Sequence, residues 1–408
     1  MPEIEEVMIA GEWVPSAARE TRVVINPSTL RPLGAVGLAE ASQWRDALRA
    51  AGAAAPAWRQ RRPEERAALL AGVGERLLAI QEELALIHAR ESGQVFTEAL
   101  DRVRDAAACW RIAPTAASAP PPTVSVAWPR SDGALVDWSR IVSERLARGG
   151  TCVVALPAEA PLTVLGAARC CAALPHGVLS VLVGEPVLVQ DAGVEHVRPA
   201  DEPVATDIVY VSPDADLNLA VAGVSARRLY HCGQRAGQSV RVYVERSRIY
   251  AFADRLHESL AFLEVGDAVK AGSDLGPLAS AARLQEVEAQ VAAVLRRGAL
   301  IKLGGRRYQP WGLTGYFFQP TLMIEGTGEE RAPEDQIRGP VIVLSPARDL
   351  AAVIADRPTA APVRISLFAG DVPRALAGVD AEPHRVQIEP VATRGADWFP
   401  YQTRSARR

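Results

Sequence analysis

The stretch "TCVVALPAEAPLTVLGAARCCAALPHGVLSVLVG", residues 151–184, decides the fold class of this chain. Its first and last segments, "TCVVAL" and "GVLSVLVG", are short continuous apolar runs. Strands that are buried on both faces of a parallel sheet have this composition. The segment between them, "PLTVLGAARCCAAL", reads as a helix. A strand, a helix and a second strand in this order predict a right-handed βαβ unit.

The same alternation continues on both sides of this unit. "DGALVDWSRIVSERLARGG" precedes it as a helix that stops at Gly149 and Gly150. Downstream, "TDIVYVS" leads to a helix that begins near Asp214 and Asp216, and "RVYV", "PVIVLSP" and "ISLFAGD" are further strands. The pattern predicts a doubly wound α/β architecture, in which ligands bind beyond the carboxyl ends of the strands.

Upstream, the chain reads as helical and then as irregular. "PEERAALLAGVGERLLAIQEELALIHARES", residues 63–92, has apolar residues at steps of three and four and predicts one long amphipathic helix. "PTAASAPPPTVSV", residues 114–126, is too rich in proline to be helical, so it predicts a linker or a crossing strand.

Length and composition bound the function. A chain of 408 residues suggests two or three structural units. Its net charge of −3 is spread along the sequence, which argues against nucleic acid as a partner. We expect no signal peptide, because the acidic N-terminus "MPEIEEVMIAGEWV" lacks a basic segment and an apolar core. We expect no membrane span, because no run of about 18 apolar residues occurs. Five cysteines without C-x-x-C spacing (Cys109, Cys152, Cys170, Cys171 and Cys232) indicate neither disulfides nor a metal site, and favour the cytoplasm.

A series of short motifs, in order, resembles the aldehyde dehydrogenase superfamily. These are "IAGEWV", "NPST", "ADLNLAVAG", "VGDAVKAGSDLGPLAS", "GALIKLGGRR", "GYFFQPT", "IRGPVIVLSP" and "PTAAPVRISLFAGD". The resemblance implies a Rossmann-type cofactor domain over residues 1–203 and an α/β catalytic-type domain over residues 204–386. It also implies that residues 114–126 are the remnant of a reduced oligomerisation arm and that residues 387–408 are a truncated tail. The family oxidises aldehydes with NAD or NADP through a covalent thioester.

The family's nucleophile position is occupied here by alanine. In the family, Gly-Gln is followed by one residue and then by the catalytic cysteine. In "YHCGQRAGQSVRVYV", residues 230–244, that position is Ala236, whose methyl group cannot attack a carbonyl. Cys232 lies four residues earlier, and we interpret it as a small buried side chain. The alternative is that a rebuilt turn brings its sulfur to a substrate.

The other family positions have also changed. The resemblance places Arg130 at the oxyanion donor and Glu202 at the general base. It places Ala155 or Leu156 at the position where the family has a lysine that contacts the cofactor ribose. The family has a late Glu-x-Phe-Gly-Pro motif whose glutamate contacts the nicotinamide ribose. The resemblance places Gln336 at that glutamate and Arg338 at the phenylalanine. The glycine-rich phosphate turn has no counterpart, so we predict no cofactor.

These substitutions predict a pseudoenzyme, that is, a structural or regulatory subunit or scaffold that acts beside an active paralogue or pathway enzyme, possibly as a homodimer. One alternative is an oxidoreductase or esterase with altered chemistry that uses Cys232 or Glu202. Another is an anion or small-molecule binding module in which Arg130, Arg235 and Arg338 contact the ligand.

Overall fold

The computed structural model describes residues 4–16, 19–112, 123–131, 134–186, 194–198, 206–234, 240–326, 337–355, 363–379 and 386–391. The chain divides into two compact units, Met1–Ala200 and Asp201–Arg408. Each unit has its own sheets and its own buried core, so each is described by itself.

Two sheets form the first unit. Its strands are β1 (Ile4–Glu5), β2 (Val7–Ile9), β3 (Glu12–Val14), β4 (Thr21–Ile25), β5 (Pro32–Gly37), β6 (Val124–Ala127), β7 (Thr151–Leu156), β8 (Leu179–Val183) and β9 (Val194–Val197). The larger sheet has the order β3-β2-β8-β7-β6-β9, and its last four strands are parallel. The smaller, N-terminal sheet has the order β1-β5-β4. The predicted βαβ unit is therefore present, with β7 and β8 as its neighbouring parallel strands.

In the described part of this unit, the helices are α1 (Ala41–Gln60), α2 (Pro63–Ala79), α3 (Gln81–Ser92), α4 (Phe96–Arg111), α5 (Ala134–Ala147) and α6 (Leu162–Ala168). The prediction of one helix over residues 63–92 is wrong, because the backbone at Ile80 (φ −112°, ψ 23°) leaves helical angles and separates α2 from α3. Helix α4 packs against both α2 and α3. Helix α6 is shorter than the apolar run that predicts it and ends in a 3-10 turn at Arg169–Cys171.

Apolar burial explains why these elements hold together. Every residue of β7 is buried between helices, as a continuous apolar run requires. Four tryptophans of this unit are also buried: Trp44, Trp58, Trp110 and Trp138. The rings of Trp110 and Trp138 lie 5.2 Å apart at a tilted angle, an arrangement that aromatic pairs prefer.

Among the described residues of the second unit, the strands form a seven-stranded sheet. Its strands are β10 (Thr206–Val211), β11 (Val240–Glu245), β12 (Leu300–Leu303), β13 (Thr321–Ile324), β14 (Val341–Ala347), β15 (Val363–Phe368) and β16 (Val386–Pro390), in the order β12-β13-β14-β11-β10-β15-β16. Only the pairing of β12 with β13 is antiparallel. The helices are α7 (Leu217–Leu229), α8 (Ile249–Ala261), α9 (Ala281–Arg296), α10 (Leu350–Ala355) and α11 (Val372–Ala375). Asp216 caps α7 by accepting hydrogen bonds from two backbone N–H groups, as its sequence position predicts.

The parallel α/β architecture is confirmed. Residues 124–126 of the predicted linker or crossing strand lie in β6, and residues 387–390 of the predicted tail lie in β16. The remaining parts of those segments, residues 114–122 and 392–408, lie outside the described residues. None of the helices in the described part of the chain combines the length and the apolar composition that a membrane span needs.

Candidate functional site

A cavity of about 910 Å³ lies in the first unit, at the carboxyl ends of β6, β7 and β8. Its walls come from residues within 19–23, 38–40, 128–129, 155–159 and 184–185. In open parallel sheets, ligands bind in the crevice outside the carboxyl ends of the strands. A cavity of this volume is within the usual range for a cofactor or another small molecule.

Backbone hydrogen bonds assemble the walls of this cavity. The N–H of Gly184 donates to the carbonyl of Leu156 at 2.8 Å, and the N–H of Ala39 donates to the carbonyl of Val183 at 2.9 Å. The first bond joins the ends of β7 and β8, and the second attaches the connection between β5 and α1 to the end of β8. Gly184 adopts φ +103°, a conformation that favours glycine. The strand ends and the N-terminal sheet therefore form one continuous rim.

Charged side chains are concentrated on this rim. Arg22 lies in β4 and Arg19 lies two residues before that strand, while Glu159 follows β7 and Glu185 follows β8. Glu40 also lines the cavity and forms a capping box at the start of α1. Carboxylates accept hydrogen bonds from hydroxyl groups, and arginine forks bind phosphate or carboxylate. The rim can therefore recognise a ligand that carries both hydroxyl and anionic groups.

An aromatic side chain completes one wall. Trp128 lies just beyond the end of β6, and its backbone N–H donates to the carbonyl of Val197 at 2.9 Å. Its indole N–H is 3.3 Å from Nδ1 of His196, and the guanidinium of Arg198 lies over its ring at 5.1 Å. These contacts from the end of β9 hold the indole beside the cavity, where its face can stack on a planar group.

Ala155 and Leu156, which sequence reasoning places at the family's ribose-binding lysine, both line the cavity. Neither side chain offers a polar atom, so polar contacts with a ligand must come from other residues of the rim. Sequence reasoning missed Glu159 and Glu185, although residues that directly follow buried parallel strands are the expected ligand contacts. It also missed Arg19 and Arg22, because nothing in their local sequence connects them with strands more than a hundred residues later.

Arg130, predicted at the oxyanion donor position, is engaged with Asp137 in the first turn of α5. Its Nε lies 3.1 Å from Oδ2 of Asp137, and its backbone N–H donates to the same oxygen at 3.3 Å. The Asp137 carboxylate is largely buried, so this ion pair orders the start of α5.

Several predicted site residues cannot be compared with the structure. Glu202, Arg235, Ala236 and Gln336 lie outside the described residues, so their roles stay predictions. Arg338 is described and half-buried, and it lies just before β14 in the second unit. No cluster of three or more candidate metal ligands occurs among the residues that the structure describes.

Cys232 lies in a compact left-handed turn of the second unit. His231, Cys232 and Gly233 have φ values of 50°, 52° and 67°. The thiol of Cys232 is 4% exposed and donates to the carbonyl of Gly276 at 3.0 Å. Left-handed backbone at two consecutive non-glycine residues is costly and persists only where its surroundings enforce it.

Neighbouring groups enforce this turn. The amide of Gln234 accepts a hydrogen bond from the N–H of Ala279 at 2.8 Å and donates to the carbonyl of His231 at 3.2 Å. The buried guanidinium of Arg228 donates to the carbonyls of Val341 and Ile337 at 3.1 Å each. Burial lowers the pKa of Arg228 to about 10, so it stays charged at neutral pH. The thiol is thus held in a packed environment in which it contacts backbone.

Parallel α/β sheets and a cavity at the strand ends define a Rossmann-like protein with a small-molecule crevice. The chain belongs to the aldehyde dehydrogenase family, whose sequence model matches residues 13–129 and 202–357. It is 28% identical over 398 aligned residues to the succinate-semialdehyde dehydrogenase [NADP(+)] GabD of Escherichia coli, covering 86% of this chain and 82% of the relative.

Solved structures share the fold. A 3,6-anhydro-L-galactose dehydrogenase in complex with NAP has a TM-score of 0.80 at 20% identity, covering 96% of this chain and 92% of the other. The NAD+ complex of an aldehyde dehydrogenase from Bacillus cereus has a TM-score of 0.80 at 21% identity, covering 96% and 90%. The predicted aldehyde dehydrogenase-like α/β fold is therefore confirmed.

The prediction that the chain takes no cofactor is wrong. GabD is named for NADP(+), and the two solved relatives hold NAP and NAD+. The prediction failed because it equated the missing family motifs with a missing site. In the structure, the crevice at the ends of β6, β7 and β8 remains open and has polar groups on its rim.

Proposed function

We propose that this protein binds a nicotinamide dinucleotide, NAD or NADP, in the cavity at the carboxyl ends of β6, β7 and β8. The observation that carries the proposal is the cavity itself, which has the size and position that a dinucleotide requires. Glu159 and Glu185 would accept hydrogen bonds from ribose hydroxyls, and Trp128 would stack on a planar ring. When bound, the dinucleotide supplies a hydride acceptor.

We further propose that this binding does not support oxidation through a thioester. That reaction needs an accessible thiolate, whereas Cys232 is buried and donates to a backbone carbonyl. The resemblance in sequence places Ala236 at the family's nucleophile position. The burial of Cys232 and the alanine at position 236 are consistent with a cofactor-binding subunit that acts through contacts with an active enzyme. Copurification from native cells would identify such a partner.

A second candidate is semialdehyde dehydrogenase activity, which the name of the GabD relative favours. The wild-type protein should be incubated with succinate semialdehyde and either NAD or NADP while nicotinamide reduction is followed by absorbance. We expect no turnover above a blank without protein. Turnover at a rate typical of an enzyme would establish the second candidate and contradict the non-catalytic proposal.

Calorimetric titration with NAD and with NADP tests the cofactor site. We expect saturable binding of at least one dinucleotide, with loss of that binding in Ala158→Trp, because Ala158 lines the cavity and an indole there fills it. Ala160→Trp is the matched control, since Ala160 lies two residues later in the same loop and does not line the cavity. No saturable binding of either dinucleotide, or equal binding by both variants, would contradict the proposed site.

A further inference from the structure

The positive charge on the cavity rim comes from one side. Among the described lining residues, Arg19 and Arg22 are the only lysines or arginines, and both belong to the N-terminal segment that leads into and forms β4. The strand ends opposite contribute Glu159 and Glu185, together with the apolar Ala155 and Leu156. An anionic ligand group in this cavity can therefore be neutralised by a side chain only on the side of the N-terminal sheet.

Both arginines are held by exchangeable ion pairs. The guanidinium of Arg22 lies 2.6 Å from the carboxylate of Glu20, and each side chain is 60% exposed. Arg19 lies 3.8 Å from Glu40, whose carboxylate also caps α1. Exposed ion pairs of this kind contribute little free energy, so a stronger anion can replace the carboxylate. A phosphate group, with more charge and three acceptor oxygens, forms a stronger bidentate contact with arginine.

The division of charge fits a nucleotide. Carboxylates next to the strand ends suit ribose hydroxyls, and arginines across the rim suit phosphate oxygens. In dinucleotide sites generally, an acidic residue accompanies a free ribose hydroxyl and a nearby arginine accommodates a phosphate. Here both kinds of group line one cavity, and the arginines come from outside the βαβ unit.

We propose that Arg19 and Arg22 bind phosphate oxygens of the dinucleotide, so that the N-terminal sheet supplies the phosphate contacts of the site. This inference rests on the proposed cofactor binding. The phosphate has two possible sources: the pyrophosphate that both dinucleotides contain, and the 2′-phosphate that only NADP carries. The ligand chemistry is the same for both, and comparison of the two cofactors separates them.

The test is calorimetric titration of five proteins (the wild type, three single variants and the double variant of Arg19→Gln and Arg22→Gln) with NAD and with NADP at fixed ionic strength. Arg22→Gln should weaken binding about tenfold, because a charge-assisted hydrogen bond to phosphate is lost. Glu20→Gln should strengthen binding about threefold, because it removes the carboxylate that competes with the phosphate for the guanidinium of Arg22. Arg31→Gln removes the same charge from an exposed position next to β5 that does not line the cavity, and should change binding less than twofold.

Each outcome decides the inference. Weakening of NADP binding alone by Arg22→Gln assigns the contact to the 2′-phosphate, and equal weakening of both cofactors assigns it to the pyrophosphate. Wild-type affinity for both cofactors in the double variant of Arg19→Gln and Arg22→Gln would overturn the inference while leaving the cavity as the cofactor site. If the wild-type protein itself binds neither cofactor, the proposed function fails, and this inference fails with it.

Discussion

The cavity of the first unit and the turn around Cys232 in the second unit differ in how much space their surroundings leave. At the ends of β6, β7 and β8, charged side chains stand around about 910 Å³ of accessible space. At His231–Gly233, by contrast, three left-handed residues are fixed by backbone carbonyls and by the amide of Gln234. The first region can admit a ligand, and the second leaves the thiol of Cys232 4% exposed.

This difference shows that resemblance to a family and capacity for chemistry have to be judged region by region. The turn around Cys232 lies within the matched ranges, 13–129 and 202–357, whereas the cavity residues 155–159 and 184–185 lie between those two ranges. One region has Ala155 and Leu156 where the resemblance predicts the family's lysine, and these residues line an open crevice. The other has a cysteine, and that cysteine is packed against the carbonyl of Gly276.

Gly233→Ala should have the largest effect on stability, because it disrupts the packed turn around Cys232. A Cβ at this position would overlap the carbonyl oxygen of Gly339 and lie 2.7 Å from that of Arg228, at φ +67°. Backbone cannot move away from such a contact without displacing the start of β14. We expect a loss of about 4 kcal/mol or failure to fold, in the upper range of single substitutions. Urea unfolding followed by far-ultraviolet circular dichroism measures it.

Gly298→Ala is the matched control for this substitution. Gly298 also has a positive φ, +87°, but a Cβ there would meet nothing within 4 Å. Only the conformational cost of a left-handed alanine remains, about 1 kcal/mol. Equal losses in the two variants would show that the turn at Gly233 is not tightly packed, and the comparison of the two regions would fail.

Much of the fold can be predicted from local sequence. Continuous apolar runs such as "TCVVAL" identify β7 because a buried parallel strand needs no polar face. Asp216 identifies the start of α7 because its carboxylate caps the free N–H groups. The break at Ile80 could not be predicted, since the apolar periodicity continues across it and only the packing of α4 on both α2 and α3 separates the two helices.

The candidate site is less predictable, because it combines distant segments. Motif comparison directs attention to Ala155 and Leu156, and the structure places both residues in the wall of the cavity. It says nothing about the volume left when a side chain is lost, and this is why the absence of a cofactor was predicted wrongly. The pairing of Arg22 with Glu20 on the same rim as Glu159 depends on how the N-terminal sheet meets β8, which no local pattern encodes.

Glu91→Gln should have the next largest effect on stability, and it tests how the loop that lines the cavity is held. The Glu91 carboxylate, at the end of α3, accepts hydrogen bonds from the N–H of Leu162 at 2.6 Å and from the N–H and hydroxyl of Thr163 at 2.9 and 2.5 Å. These bonds fix the start of α6 and hence the end of the loop that follows β7 and lines the cavity. Burial nevertheless raises the pKa of Glu91 to about 7, against an ordinary value of 4.5.

The sign of the pH dependence follows from this shift. Because the folded protein holds the Glu91 proton more tightly than the unfolded chain, the stabilisation is complete below pH 4.5 and is lost as the pH rises through about 7. Relative to Glu91→Gln, the wild-type free energy of unfolding should therefore fall by about 3 kcal/mol between pH 4.5 and pH 8. Urea unfolding followed by the fluorescence of the buried tryptophans of the first unit measures this difference.

Glu82→Gln is the control for the pH series. Glu82 is exposed in the first turn of the same helix, so its removal should leave the pH dependence of unfolding unchanged. A difference between wild type and Glu91→Gln that stays constant from pH 4.5 to 8 would contradict the raised pKa. In that case the hydrogen bonds from Leu162 and Thr163 would outweigh the burial of the carboxylate.

Cys232→Ser should have the smallest effect on stability, and it tests directly whether the turn around Cys232 keeps the thiol away from substrates. A serine hydroxyl can still donate to the carbonyl of Gly276, so stability should change by about 1 kcal/mol or less. Any ester or aldehyde turnover should be unchanged, because a buried thiol bonded to backbone cannot reach a substrate. In native protein, a maleimide should modify the half-buried Cys109 before Cys232. Rapid modification of Cys232, or loss of turnover in the serine variant, would mean that the turn opens in solution. The turn and the cavity would then differ only in how readily a ligand reaches them.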